Sequence, residues 1–250
     1  MGIIAGYRNF IKKRRDKSIE KNSALLANAK AIREERVAAI EFFVTLAEVE
    51  KAVPALLRRF EYSLEHGIND TREKEAVMAG IVNFGEKAAP LIAEHLRSTY
   101  RIAWPIKTYK KLADEAKVRA ALIACLDFAD VSLDQQRVDK NYDILCYLHE
   151  YQLDEEMITS LFAFLNNLDE RVRFAAVEAL VEQQAHQEAI ARRLEIFVLD
   201  RTPENSRIHQ AVVAAFLQQQ WTLSDRQLFK VGPLGSGLQV SESYQLHAGK

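Results

Sequence analysis

The stretch LDERVRFAAVEAL, Leu168 to Leu180, sets an acid and two arginines directly ahead of a segment made almost wholly of Ala, Val and Leu. Ala175, Ala176 and Ala179 fall on one helical stripe, where small side chains let a neighbouring helix approach closely. Val172, Val177 and Leu180 supply burial worth about 1.5–3 kcal/mol per large side chain. Asp169 at the start of such a helix gains about 0.3–1 kcal/mol from the partial positive charge there.

Similar six-residue runs recur along the chain: AIEFFV from Ala39, AVMAGI from Ala76, ALIACL from Ala121, AVEALV from Ala176 and AVVAAF from Ala211. Their spacing is uneven unless ALIACL is the second helix of a pair that opens at PIKTYKKLA, Pro105. First helices then centre near residues 39, 76, 108, 145, 176 and 211, and steps of 31 to 37 residues separate them. Second helices are expected at AVPALLRRFE, at AAPLIAEHL, near Ile190 and at DRQLF near Asp225, with Pro54 and Pro90 in first turns, where a missing N–H costs little. Asp70, Asp169 and Pro203 stand where first helices would begin, and an Asp there caps orphan amides. One helix pair cannot bury its own apolar stripe, so such pairs must stack.

Composition agrees. Ala, Leu, Glu, Lys, Arg and Gln dominate, with five Pro and nine Gly in 250 residues, which favours helix throughout. The formal net charge of -1 conceals ten Lys/Arg against four acids in Met1 to Arg36, a basic arm on an acidic remainder. Cys125 and Cys146 sit in apolar helical runs and supply neither a disulfide framework nor a zinc ligand set. MGIIAGYRNFIKKRR carries its charge after its apolar run and does not read as an export signal, and Gly6 departs from the myristoylation pattern. A cytoplasmic protein is expected.

The residues Asp169, Val172, Arg173, Ala176 and Leu180 follow D-x-x-V-R-x-x-A-x-x-x-L, and this stretch resembles the first helix of a HEAT repeat. Weaker echoes are DTREKEAVMAGI, with Asp70 and Ala76, and NSRIHQAVVAAF, with Arg207 and Ala211. The resemblance covers roughly residues 34–221. It implies an all-α fold, an α-solenoid of about six antiparallel helix pairs, in which Asp169 and Arg173 tie one repeat to the next.

HEAT-like proteins include enzymes. The His-Glu dyads of deoxyhypusine hydroxylases are represented only by His149 with Glu150 and, reversed, by Glu94 with His95. Nothing points to phycobilin lyases. HEAT-like alkylpurine DNA glycosylases use aromatics among cations, and RSTYRIAWPIKTYKK, Arg97 to Lys111, offers such a set without an acid. The bland alternative is a helix with Trp104 and Ile106 against the core and solvated lysines. The sequence pI near 6.6 argues against broad DNA binding.

The resulting expectation is a non-catalytic scaffold that binds a protein partner through Tyr100, Arg101, Trp104, Lys107, Lys110 and Lys111, with no metal and no cofactor. A DNA-binding or enzymatic HEAT-like role is the alternative. Residues 1–33 form the basic helical arm, 34–230 the repeat array and 231–250 a flexible tail containing GPLGSG, Gly232 to Gly237. Ile3 to Ile11, followed by KKRR, reads as a helix that caps the first repeat or lies on an anionic membrane or in a partner groove.

Overall fold

The computed structural model describes residues 2–129, 133–200, 202–224 and 238–248. The chain is largely helical and divides into two compact units, Met1–Cys125 and Leu126–Lys250. The division falls inside the stretch expected to be one array.

In the first unit, α1 (Gly2–Leu26) precedes α2 (Arg33–Val44) and α3 (Val49–Leu57), which tightens into a 3₁₀ turn at Arg58–Glu61. Then come α4 (Gly67–Asn83), a 3₁₀ turn at Gly85–Ala88, α5 (Ala89–Ser98), α6 (Ala103–Tyr109) and α7 (Glu115–Ile123). The left-handed turn that separates α4 from α5 uses Gly85, whose φ is 65°. Helix α2 packs on α4, α3 on α5, and α4 on α6. Two sequence expectations change here. Pro54 lies inside α3 rather than in its first turn. Helix α4 begins at Gly67, so Asp70 sits within its first turn and its carboxylate serves Arg59 and Lys74 instead of capping.

Gly80 explains how closely α2 and α4 approach. A Cβ built there would lie 2.3 Å from Val44 Cγ2. Replacing a helix-interior Gly by Ala normally gains about 1 kcal/mol. Gly80→Ala is expected to lose about 1–3 kcal/mol through overpacking, with most of the loss recovered by adding Val44→Ala. Denaturant midpoints measure this, and a Gly80→Ala single variant as stable as the parent would contradict the close approach.

In the second unit, α8 (Gln135–Leu148) precedes α9 (Glu155–Leu161) with its 3₁₀ extension Phe162–Asn166, then α10 (Glu170–Val181), α11 (Gln187–Leu194), α12 (Ile196–Leu199) and α13 (Ser206–Gln219). Asp134, Asp154 and Asp169 each accept a backbone N–H at the start of the helix that follows, worth about 1 kcal/mol apiece. Pro203 opens a 3₁₀ turn, and α13 starts only at Ser206. Helix α10 packs on α8, α9, α11 and α13. Crowding on so many sides requires small residues, and Ala175, Ala176 and Ala179 are buried together with Val172, Val177 and Leu180.

The arginines of LDERVRFAAVEAL point in two directions. Arg171 pairs with Asp169 at 2.7 Å and reaches back to Asp139 on α8 at 2.9 Å. Arg173 donates to the Asn167 carbonyl at 2.7 Å and reaches forward to Asn205 Oδ1 at 2.8 Å, just ahead of α13. Asp169 therefore caps its own helix, and the arginines make the links.

Residues 238–248, expected within a flexible tail, form an antiparallel pair, β1 (Leu238–Val240) and β2 (Leu246–Ala248), with Val240 opposite Leu246. Strand β2 packs on α13 through the buried Leu246, and Leu223 N–H donates to the Tyr244 carbonyl at 2.8 Å. The expected helix near Asp225 and the segment Gly232 to Gly237 lie outside the described residues.

Candidate binding surface

Helix α6 presents the basic aromatic segment. Its buried side is Ile102, Pro105, Ile106 and Tyr109, an i, i+3, i+4, i+7 stripe, which leaves Lys107 on the exposed side. Trp104 is half-buried, stacked on Phe60 with ring centroids 5.9 Å apart, and Lys107 Nζ lies 4.8 Å from its centroid. The indole is thus engaged by Phe60 and Lys107 rather than offered as an open stacking platform. Tyr100, Arg101, Lys107 and Lys111 are exposed, and Lys110 is half-buried. Of the six residues singled out in the sequence, Lys107 meets the partly covered indole of Trp104, while Tyr100, Arg101 and Lys111 are exposed nearby in the chain and Lys110 is half-buried.

Just before α6, Thr99 is buried and organises the link. Its hydroxyl donates to Glu61 at 3.1 Å and accepts the Arg101 N–H at 3.0 Å, while His95 Nε2 lies 2.9 Å from the other Glu61 oxygen. Burial alone would raise the Glu61 carboxyl, but the hydrogen bonds from His95 and Thr99 reverse this and hold it below its ordinary range. The Arg101 guanidinium donates to Ser63 Oγ at 3.2 Å.

Ser63 also lines a cleft of about 490 Å³ between the α1–α2 link and the loop entering α4. Lys30, Arg33, Arg36, His66 and Asn69 share that lining, and among the described residues Glu65 is its one acid. Exposed cations at the mouth suit a carboxylate or phosphate, with guanidinium offering two parallel donors.

Beneath the cleft lies a buried ionic network the sequence did not reveal. Arg36 grips Glu73 through both carboxylate oxygens, at 3.0 and 2.9 Å. Arg59 donates to the same Glu73 at 2.7 Å and to Asp70 at 2.7 Å, and Lys74 closes the chain on Asp70 at 2.7 Å. Arg36 is 5% exposed, Arg59 0% and Glu73 4%. For Glu73 and Asp70, burial pushes the carboxyl up, and the paired cations more than offset it, so both are held below their usual values. Three cations meet two carboxylates, and Arg36 is the member that borders the cleft. The only sequence cue was Asp70, taken there as a cap. Arg36, Arg59 and Glu73 sit on three different elements, and nothing in their local pattern distinguishes them from solvated charges.

The dyads considered for iron have other partners. Glu94 pairs with Arg97 at 2.9 Å, His95 with Glu61, and His149 Nδ1 lies 2.7 Å from the Cys146 carbonyl. Among the described residues, no three His, Cys, Asp or Glu gather as a metal-ligand group. Cys125 and Cys146 are half-buried, and burial pushes the Cys146 thiol up.

No protein-family model, curated protein or solved structure matches the chain.

Proposed function

We propose that this protein is a non-catalytic, cytoplasmic scaffold of HEAT-like stacked helical hairpins whose first unit recruits an acidic protein segment. The stacking is supported by the packing of helices two places apart along the chain, α2 on α4, α3 on α5, α4 on α6 and α8 on α10, and by that of α10 on α13 beyond the short α11 and α12. It is also supported by side-chain links that recur one hairpin apart: Arg36 to Glu73, Asp139 to Arg171, and Arg173 to Asn205. One pair in isolation would leave its apolar stripe wet, whereas layered pairs share a core.

The observation that carries the partner's chemistry is charge segregation at the unit boundary. Residues 1–125 hold 23 Lys/Arg against 16 Asp/Glu, and residues 126–250 hold 11 against 19. On the first unit, Arg101 is tied to Ser63 at the lip of the cleft, so the exposed cations around Trp104 and those at the cleft mouth are joined by a hydrogen bond. The exposed Tyr100 supplies the aromatic anchor beside the partly covered Trp104, and Arg101, Lys107, Lys110 and Lys111 the cationic rim.

Fluorescence anisotropy with a labelled poly-glutamate peptide tests this. The parent is expected to bind at low salt. The Lys107→Glu, Lys110→Glu, Lys111→Glu variant, with an unchanged far-UV spectrum, should bind at least about tenfold more weakly, since reversing rim charges on a complementary surface acts on encounter and affinity together. A labelled oligonucleotide runs in parallel. Tight oligonucleotide binding with a steep salt dependence, or peptide binding indifferent to the triple reversal, overturns the proposal.

A further inference from the structure

Among the described side chains of helix α1, those that anchor it to the first unit begin at Arg15. Its second half is held to the first unit: Leu26 is fully buried, Asp16 pairs with Lys51 at 2.9 Å, Arg15 pairs with Glu48, and Ser23 Oγ accepts from Arg58 at 3.1 Å. Ahead of Asp16, every residue from 9 to 15 is exposed although the helix is unbroken from Gly2. Packing of the arm on the first unit is therefore carried by residues 15–26, and the side chains of residues 9–14 are exposed.

The composition of that exposed part is specific. Phe10 is 57% exposed and Ile11 47%. Lys12, Lys13, Arg14 and Arg15 follow without a break, and no acid occurs before Asp16. The Arg14 guanidinium lies 5.7 Å from the Phe10 ring centroid, so charge and apolar surface lie side by side. In the sequence, Ile3, Ile4 and Tyr7 recur at helical spacing with Phe10 and Ile11. A helix presenting aromatic and aliphatic residues beside a dense block of Lys and Arg matches the plane between headgroups and acyl chains of an anionic bilayer, where the first set inserts and the second meets phosphate and carboxylate. An acidic protein would satisfy the cations but leave an exposed Phe and Ile to find a pocket. No single helix among the described residues is long and apolar enough to cross a membrane, so the contact is with the surface.

We infer that the N-terminal half of α1 docks this protein onto anionic lipid surfaces by inserting Phe10 and Ile11 while Lys12, Lys13 and Arg14 bind headgroups. This is independent of the acidic-partner surface on α6, which uses other residues.

Co-sedimentation of the full chain with vesicles provides the test. One set is phosphatidylcholine alone, and the other is roughly one third phosphatidylserine. The parent is expected to sediment with the anionic vesicles and not with the neutral ones. Lys12→Gln, Lys13→Gln, Arg14→Gln together should weaken binding about a hundredfold, roughly fivefold for each cation removed. Phe10→Ser with Ile11→Ser should abolish it at an ionic strength where the parent still binds. All five positions are exposed, so the variants are expected to melt at the parent's temperature. Three results each overturn the inference: no association with anionic vesicles, equal association of the parent and both variants, or equal binding to neutral vesicles.

Discussion

Glu73→Ala is expected to destabilise the first unit by about 3–5 kcal/mol, the range seen when one member of a buried ionic cluster is removed and its partners stay charged. Among the described residues, Glu73 is the acceptor for the Arg36 Nε and Nη2 pair and for Arg59 Nε. Without it, two guanidiniums that cannot deprotonate remain buried, and the Asp70 carboxylate is shared between Arg59 and Lys74. Glu73→Gln keeps the shape and one acceptor oxygen but removes the charge, so a smaller loss is expected. Replacing Arg36, Arg59 and Glu73 together by Met and Leu should be better tolerated than Glu73→Ala alone, because an apolar cluster carries no desolvation penalty. Trp104 lies in the first unit and Trp221 in the second. Urea unfolding followed by Trp104 fluorescence, in a Trp221→Phe background, isolates the relevant transition. A Glu73→Ala midpoint within about 0.5 kcal/mol of the parent would mean that the cluster is hydrated in solution.

The same cluster gives the first unit a pH dependence of known sign. Glu73 and Asp70 have folded-state values held below their unfolded ones. Their stabilisation is present in full above the ordinary carboxylate range. It is lost as pH falls below about 4 and through the folded values, where the unfolded chain binds protons more readily than the native one. Acid unfolding of Glu73→Gln should accordingly be shallower than that of the parent.

These two carboxylates also mark where reading the sequence runs out. Helices occur at each expected first-helix position, near 39, 76, 108, 145, 176 and 211, because periodic Ala and aliphatic residues report a buried face directly. Asp169 was legible as a cap for a similar reason: capping is local, set by one residue and the two or three that follow. Asp70 looked the same on paper. Its side chain was taken over by Lys74, one turn further along α4, and by Arg59, whose arrival depends on how α3's extension turns beside α4. Distant pairing of charges leaves no periodic trace. The basic aromatic segment was legible as a composition, but its central indole was not legible as covered, because Phe60 lies 44 residues earlier on another element. The hairpin at 238–248 was hidden by the Gly- and Ser-rich stretch before it; among its described residues Leu246 is buried, and a single buried residue leaves no periodic pattern.

Gln183 carries the second large effect. It lies just past the end of α10 and is 1% exposed. Its side-chain oxygen accepts the Leu153 N–H at 2.7 Å, and its amide nitrogen donates to the Tyr151 carbonyl at 3.0 Å and the Ala179 carbonyl at 2.8 Å. Outside it, Gln152 returns the favour: its amide donates to the Glu182 carbonyl at 3.1 Å and its oxygen accepts the Gln184 N–H at 3.0 Å. Two glutamines thus stitch the link before α9 to the link after α10, each reading the other's backbone. The inner one works where water cannot replace it. Gln183→Leu keeps the volume but strands the Leu153 N–H and takes a donor from the Tyr151 and Ala179 carbonyls, at about 1–3 kcal/mol for a buried unsatisfied group and less for a carbonyl with a second lone pair, so a loss of about 2–5 kcal/mol is expected for the second unit. Gln152→Ala removes the bonds to Glu182 and Gln184 in the exposed layer, where solvent substitutes, and should cost under about 1 kcal/mol. Trp221 fluorescence in a Trp104→Phe background follows the unfolding, and hydrogen exchange at the Leu153 amide follows the bond itself. If Gln183→Leu costs no more than Gln152→Ala and the Leu153 amide stays protected, the second unit is held by apolar burial alone and the glutamine stitch is incidental to its packing.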